Sequence, residues 1–310
     1  MNIELSGEAL AYGKLARQAF AVAEEAEPVT EAGKDPARRE RVFAPVLAGL
    51  GAWQLAPRDD PDDLEAAAAL CRAAGYWCLA YPLAERLSRP AGLDVDGLLV
   101  VDAARPAAAV AGLDLRWAAV TLDGKRSLVE RVRPDGPPRT TAFAAPLDLL
   151  PADGDGTRDV PLALVLPCWT LLGMLDRAID LARAHVLVRH QFGQPLSAFQ
   201  GVQFQLTDAA VERDGAEMLA RYALWSIQAG LPEAADDALA LRMAALEAAE
   251  VVFRVAHQLH GALGFCDEAP LSWLSRYSQP LRRLPLGLSA TRAALVGRAG
   301  RRGLTGLFSE

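Results

Sequence analysis

At 310 residues, 52% hydrophobic and 23% charged, the chain can bury a sizeable core as one large domain or two to three small ones, which excludes wholesale disorder. A formal net charge of -7 argues against nucleic acid as a partner, because phosphate binding needs a basic surface. No apolar run of about 18 residues is free of charge, so no membrane span is expected. The opening MNIELSGEAL has neither a basic nor an apolar leader region, and Cys71, Cys78, Cys168 and Cys266 form no CxxC pair. Buried, reduced cysteines and a cytoplasmic location are therefore expected.

In chain order, residues 1–90 read as a helical domain. The stretch LEAAAALCRAAGYWCLAYPLAERL places Leu64, Ala68, Cys71, Gly75, Cys78 and Leu79 on one stripe. Pro28, Pro36, Pro45, Pro57 and Pro61 are expected to divide the zone into short helices. Across residues 91–158 the period changes. Short apolar runs at Leu98–Val101, Ala107–Val110, Trp117–Leu122 and Ser127–Val132 predict a small, mostly antiparallel β domain, with Asp123-Gly124 as a hairpin turn. Pro151–Asp159 (PADGDGTRD) reads as a linker. Residues 159–310 then predict helices over Pro161–Arg189, Phe199–Ala229, Ala234–Leu263 and Ser289–Arg301, the set that an antiparallel four-helix bundle needs. The terminal RRGLTGLFSE reads as a solvated, fraying tail.

Two segments go beyond pattern. In RHQFGQPLSAFQGVQFQLTD, Arg189 to Asp208, Arg189 offers a planar donor fork suited to phosphate and Gly193 lets the chain turn. Pro195 suits the approach to a helix, and Phe192 and Phe199 are expected to pin the turn into the core. The same residues also suit an ordinary helix corner with an exposed arginine. The second segment, His257 to Arg283, offers Gln258, His260, Gly261 and Gly264 at a helix end, where glycine is usually a cap. His257 and His260, followed by Cys266, Asp267 and Glu268, could suggest a metal, but no second ligand pair accompanies them and no metal is assigned.

In this order and spacing the two segments resemble the acyl-CoA dehydrogenase family. The family pattern RxxFG-x-P-xxxFQ-xxQ is met by Arg189, Phe192, Gly193, Pro195, Phe199, Gln200 and Gln203. The later pattern is met by Gln258, Gly261, Gly264, Phe265, Glu268, Pro270 and Leu271, with Arg276 matching a further arginine. The resemblance implies a mainly α fold with a small β middle domain: an N-terminal helical domain, a truncated antiparallel β domain and a C-terminal four-helix bundle. It also implies that Arg189, Gln191 and Phe192, with Gln258 and Gly261, grip the pyrophosphate and adenosine of an FAD seated mainly on a neighbouring subunit. The family's second glycine is Ala262 here.

The sequence departs from that pattern where the chemistry lies. Abstraction of a proton alpha to a thioester needs a carboxylate. The usual base position falls at Pro285 and the other known one near Ala163, so no catalytic residue is assigned. Asp159 is the nearest substitute, and Asp176 and Asp180 read as polar-face residues. No T-E-P-x-x-GSD-like stretch for the flavin ring lies between Cys71 and Asp159. The resemblance thus implies the short, degenerate beta-type subunit of a heteromeric α2β2 acyl-CoA dehydrogenase. A full-length subunit would be its partner, a bulky or steroid side-chain acyl-CoA the substrate, and electron-transferring flavoprotein the acceptor. A scaffold without flavin and a homo-oligomeric enzyme using Asp159 are the alternatives.

Overall fold

The computed structural model describes residues 2–26, 38–133 and 144–302. Pro28, Pro36 and the tail beyond residue 302 lie outside the described residues. The first helices are α1 (Gly7–Ala26), α2 (Arg38–Gly49), α3 (Pro61–Tyr76) and α4 (Leu83–Leu87). α3 starts where Asp60 accepts from the backbone N–H groups of Asp62 and Asp63, with Pro61 in the first helical position. Leu64, Ala68, Cys71 and Gly75 are buried along α3 as their spacing predicts; Cys78 and Leu79 are buried too, but beyond the helix, which ends at Tyr76. Pro45 does not divide the zone; it lies inside α2. Phe43 and Leu47 are buried on either side of it, and that burial offsets a proline cost of about 3 kcal/mol.

Five strands follow: β1 (Gly97–Val100), β2 (Ala107–Ala108), β3 (Trp117–Val120), β4 (Lys125–Val132) and β5 (Ala145–Asp155). They form one sheet in the order β1-β3-β4-β5-β2. Only β1 and β3 pair in parallel among these strands; the other pairs are antiparallel. Asp123-Gly124 makes the β3–β4 turn, with Gly124 at φ 84°. The expected linker is a correction, because Pro151–Asp155 continues β5, with Pro151 opposite Ser127 and Asp155 opposite Lys125. A long partner strand recruits this turn-rich stretch, and the register slips where Ala152, Asp153 and Gly154 stand against Arg126 alone.

The rest is the bundle: α5 (Val160–Val188), α6 (Gln200–Gln228), α7 (Ala234–His260) and α10 (Leu288–Arg302), with short α8 (Pro270–Tyr277) and α9 (Gln279–Arg283) before the last helix. The predicted helix limits hold, except that α7 stops at His260 and a 3-10 turn carries Gly261–Phe265. α5 packs against α3, α6 and α7. By length and composition the helical stretch Thr157–Val188 is apolar enough to cross a membrane, which the sequence reading did not expect. Its apolar residues are instead the centre of the core. α3 and α5 touch backbone to backbone: a Cβ on Gly75 would lie 1.8 Å from the Thr170 carbonyl oxygen, and one on Gly173 would lie 1.9 Å from that of Arg72. Cys71, Cys78 and Cys168 are buried as expected, but Cys266 is exposed because it follows the helix end.

A charged cluster fastens the middle of α5. Arg72 donates to Asp176 at 2.7 Å and to Glu217 at 2.8 Å, while Arg213 and Arg221 reach Glu217 at 3.0 and 2.6 Å. Burial opposes ionisation of Glu217, but the Arg72 and Arg221 guanidiniums hold its carboxyl down at about 2. Asp176 is therefore a half-buried network member rather than a polar-face residue. Asp180, half exposed, accepts from the Tyr76 hydroxyl at 2.9 Å.

Candidate functional site at the two ends of one helix

The first turn of α5 faces a cavity of about 110 Å³ between the N-terminal helices, the sheet and the bundle. Ala163 and Pro285, the two positions where a base is expected by resemblance, both line it. They are far apart in sequence, and the fold brings them to one wall. Neither can take a proton. Pro285 is presented by a loop whose Leu284 and Leu286 carbonyls accept from Arg242 at 2.6 and 2.7 Å. Leu79, Leu99, Leu164 and Met174 supply much of the apolar wall.

Asp159 sits just before α5 and has a different task. Its buried carboxylate accepts from Arg58 at 2.8 Å and from Arg126 at 2.7 and 3.0 Å. Two guanidiniums on opposite oxygens stabilise the anion and occupy its lone pairs, so it ties α5 to β4 and to the loop before α3 instead of acting as a base.

At the other end of α5 the chain turns back through a small hairpin of β6 (His190–Gln191) and β7 (Gln194–Pro195). Phe192 at φ 51° and Gly193 at φ 82° are its two central residues, the pair of positive φ values that a tight hairpin turn requires. The turn places Phe192 at the apex, 90% exposed, which corrects the expectation that it is pinned in the core. Its ring keeps an edge contact with Phe199, centroids 6.3 Å apart. Arg189 and Gln191 are exposed as well. Among the described residues, no hydrogen bond or ion pair engages the Arg189 guanidinium.

The second segment lies beside the first. His185, one turn before Arg189, stacks on His260 at the end of α7, ring centroids 4.6 Å apart. Gln258 and Gly261 are exposed at that helix end. Gly261 adopts φ 59°, ψ −143°, a conformation that a side chain disfavours, and a Cβ there would meet nothing within 4 Å. Arg189, Gln191, Phe192, Gln258 and Gly261 thus share one open end of the bundle. His257 stacks on Phe265 at 4.5 Å, and burial, with the neighbouring His260, pushes its imidazole below the usual range. Among the described residues no group of three His, Cys, Asp or Glu side chains could hold a metal ion.

Around this end lies an unpartnered apolar surface. Leu187, Val188 and Phe265 are exposed, and Phe204, Val211 and Met218 repeat every seven residues along α6. Sequence reasoning missed this stripe, and it missed Glu85, Arg39 and Arg242 in the cavity. Arg242 was legible in principle, since it interrupts the apolar face of Leu239, Ala245, Leu246 and Ala249. Glu85 likewise stands alone between Leu83 and Leu87.

Comparison with known proteins agrees with this geometry. Residues 165–299 match the model of the acyl-CoA dehydrogenase C-terminal domain. An acryloyl-CoA reductase (NADH) of Anaerotignum propionicum is 33% identical over 105 residues, 34% of this chain and 26% of the relative. The match therefore spans about a quarter of the length of the curated relatives. Among solved structures, a Tcur3481-Tcur3483 steroid ACAD variant superposes with a TM-score of 0.76 at 20% identity, over 96% of this chain and 100% of that one. The ChsE4-ChsE5 complex from Mycobacterium tuberculosis gives 0.75 at 18%, over 98% and 100%.

Proposed function

We propose that this chain, whose residues 165–299 match the acyl-CoA dehydrogenase C-terminal domain and which has that family's fold, is the short subunit of a heteromeric acyl-CoA dehydrogenase. In that role it completes the FAD site of a full-length partner and contributes no base. The observation that carries this reading is the contrast between the two ends of α5. The two positions where the resemblance puts a base line the cavity as Ala163 and Pro285, whereas Arg189, Gln191, Phe192, Gln258 and Gly261 are exposed at the opposite end.

The residues present fit the cofactor's polar half. Arg189 provides a fixed cation with open donors, Gly261 leaves room for close approach, and Gln191 and Gln258 add amide donors beside it. FAD held there would accept the hydride removed from an acyl-CoA thioester, and electron-transferring flavoprotein would be the acceptor. The stripe of Phe204, Val211 and Met218 would bury against the partner, since exposed apolar patches of this kind mark interaction surfaces. Two similar structures bear the names of two-protein assemblies, one of them a steroid ACAD, which favours a heterotetramer and a bulky or steroid side-chain substrate. The division at residues 1–90, 91–158 and 159–310, with a truncated middle domain, and a cytoplasmic location belong to the same proposal.

The test is the flavin absorbance and native mass of the chain purified alone and after co-expression with a full-length acyl-CoA dehydrogenase encoded beside it. A colourless chain alone and a yellow mixed tetramer with about two flavins are expected. A yellow homo-oligomer would overturn the reading in favour of a self-sufficient enzyme; a colourless mixture would favour a scaffold.

A further inference from the structure

The cavity at the start of α5 holds one group that neither the family resemblance nor the partner reading uses. Glu85, on the single-turn helix α4, lines it. Protein surrounds this carboxyl, yet the residue, which lines the cavity, keeps some accessible surface. Among the described residues its only hydrogen-bonding neighbour is its own backbone N–H, and no arginine pairs with it. Two other carboxylates near this end of α5 are engaged: Asp159 by two arginines, and Glu40 by the Tyr81 hydroxyl at 2.6 Å.

The rest of the lining narrows what could sit there. Leu79, Leu99, Leu164, Met174 and Leu281 are apolar. Arg39 and Arg242 are buried guanidiniums in the same wall, and Arg242 Nε has no hydrogen-bond partner among the described residues. Two buried cations exclude a cationic guest. A pure hydrocarbon would leave the carboxyl of Glu85 without a partner, which is costly in an apolar pocket. A volume of about 110 Å³ holds roughly seven water-sized spheres at about 15 Å³ each, the room of a molecule with six or seven heavy atoms.

We propose that this cavity is a binding site for a small apolar molecule carrying one carbonyl-type acceptor, with Glu85 as the group that donates to it. Burial pushes the Glu85 carboxyl up to about 7, so it is about half protonated at neutrality and carries its proton below it. The other charged or titratable groups in the lining are Arg39 on α2, Tyr81 before α4, Arg242 on α7 and Tyr277 on α8; Arg86, on α4 itself, leans over Trp53. Burial raises both tyrosines out of the neutral range, and neither arginine loses its charge there, so Glu85 alone among them titrates near pH 7.

The site stands whether or not a partner subunit exists, and its test uses the full chain by itself. Hexan-2-one, with hexane as the control lacking an acceptor, is titrated into the protein and followed by ligand-observed NMR between pH 6 and 9. Saturable ketone binding is expected, weakening about tenfold per pH unit above 7 as the donor is lost. Glu85→Gln, which keeps a donor, retains affinity within about threefold and loses the pH dependence; Glu85→Ala weakens binding about tenfold or more. Both variants are checked for unchanged thermal unfolding, since Glu85 has no ion pair to lose. No saturable ketone binding, or equal binding by the Gln and Ala variants, would overturn the proposal.

Discussion

One helix, α5, begins in closed structure and ends in open structure. At its start, Asp159 is wrapped by two arginines and Ala163 faces a cavity from which the expected bases are gone. At its end, the Arg189 guanidinium has no partner among the described residues, Phe192 keeps only its edge contact with Phe199, and Gln258 stands exposed beside them. A self-sufficient enzyme would need both ends to be functional together. Here the fold spends its charged pairs on fastening one end and leaves donors unspent at the other. That asymmetry is what an arm reaching into a neighbour's site requires, and four substitutions probe it.

The most damaging is expected at the closed end. Asp159→Ala leaves the half-buried Arg58 and Arg126 without their counter-charge and should cost about 3 kcal/mol, read as a large fall in urea midpoint. If Asp159 were instead a poised base, the variant would keep its stability, and the contrast between the ends would collapse.

The next effect lies at the middle of the helix and appears through pH. The folded-state pKa of Glu217 is depressed to about 2 from an ordinary 4.5. Its stabilisation is therefore fully present above about pH 4.5 and is lost as pH falls through about 2. The size should be on the order of 2–3 kcal/mol. Glu217→Gln should lower stability at pH 7 and flatten the acid limb of the stability curve between pH 5 and 2. An unchanged acid limb would mean that α5 is held by packing alone.

At the open end, Arg189→Ala should leave the unfolding of the isolated chain unchanged while the mixed complex loses flavin about ten to a hundred times more readily, measured by release on dilution. Unaltered flavin retention would remove Arg189 from the clamp and leave it an exposed corner residue.

Much of this was legible before any coordinates. The four bundle helices follow from apolar periodicity that their burial then repeats, and Gly124 was found from the Asp-Gly pair alone. What escaped was decided by tertiary pairing or by the absence of it. Pro151–Asp155 has the composition of a linker, and only the presence of β4 makes it a strand. Pro45 sits in a helix because its neighbours are buried. Glu85 and Arg242 share a cavity across more than half of the chain, a proximity that no local pattern encodes. Phe192 was misjudged for the opposite reason: hydrophobicity predicts burial, but burial needs something to be buried against, and among the described residues only Phe199 touches its ring.

That residue gives the smallest effect on the chain and the finest test of the comparison. Phe192 makes one ring contact, with Phe199, and is otherwise in solvent. Phe192→Asn suits a positive φ better than phenylalanine does, so thermal unfolding of the isolated chain should change by no more than about 0.5 kcal/mol. The same substitution removes a large apolar side chain from the corner proposed to meet the partner and its cofactor. Assembly with the full-length subunit, followed by native mass against concentration, should therefore weaken by about tenfold or more, as expected of an aromatic anchor. A residue that matters to the complex and not to the fold belongs to the partner's site. If the variant assembled normally but unfolded early, Phe192 would be structural after all, and the open end of α5 would be no arm.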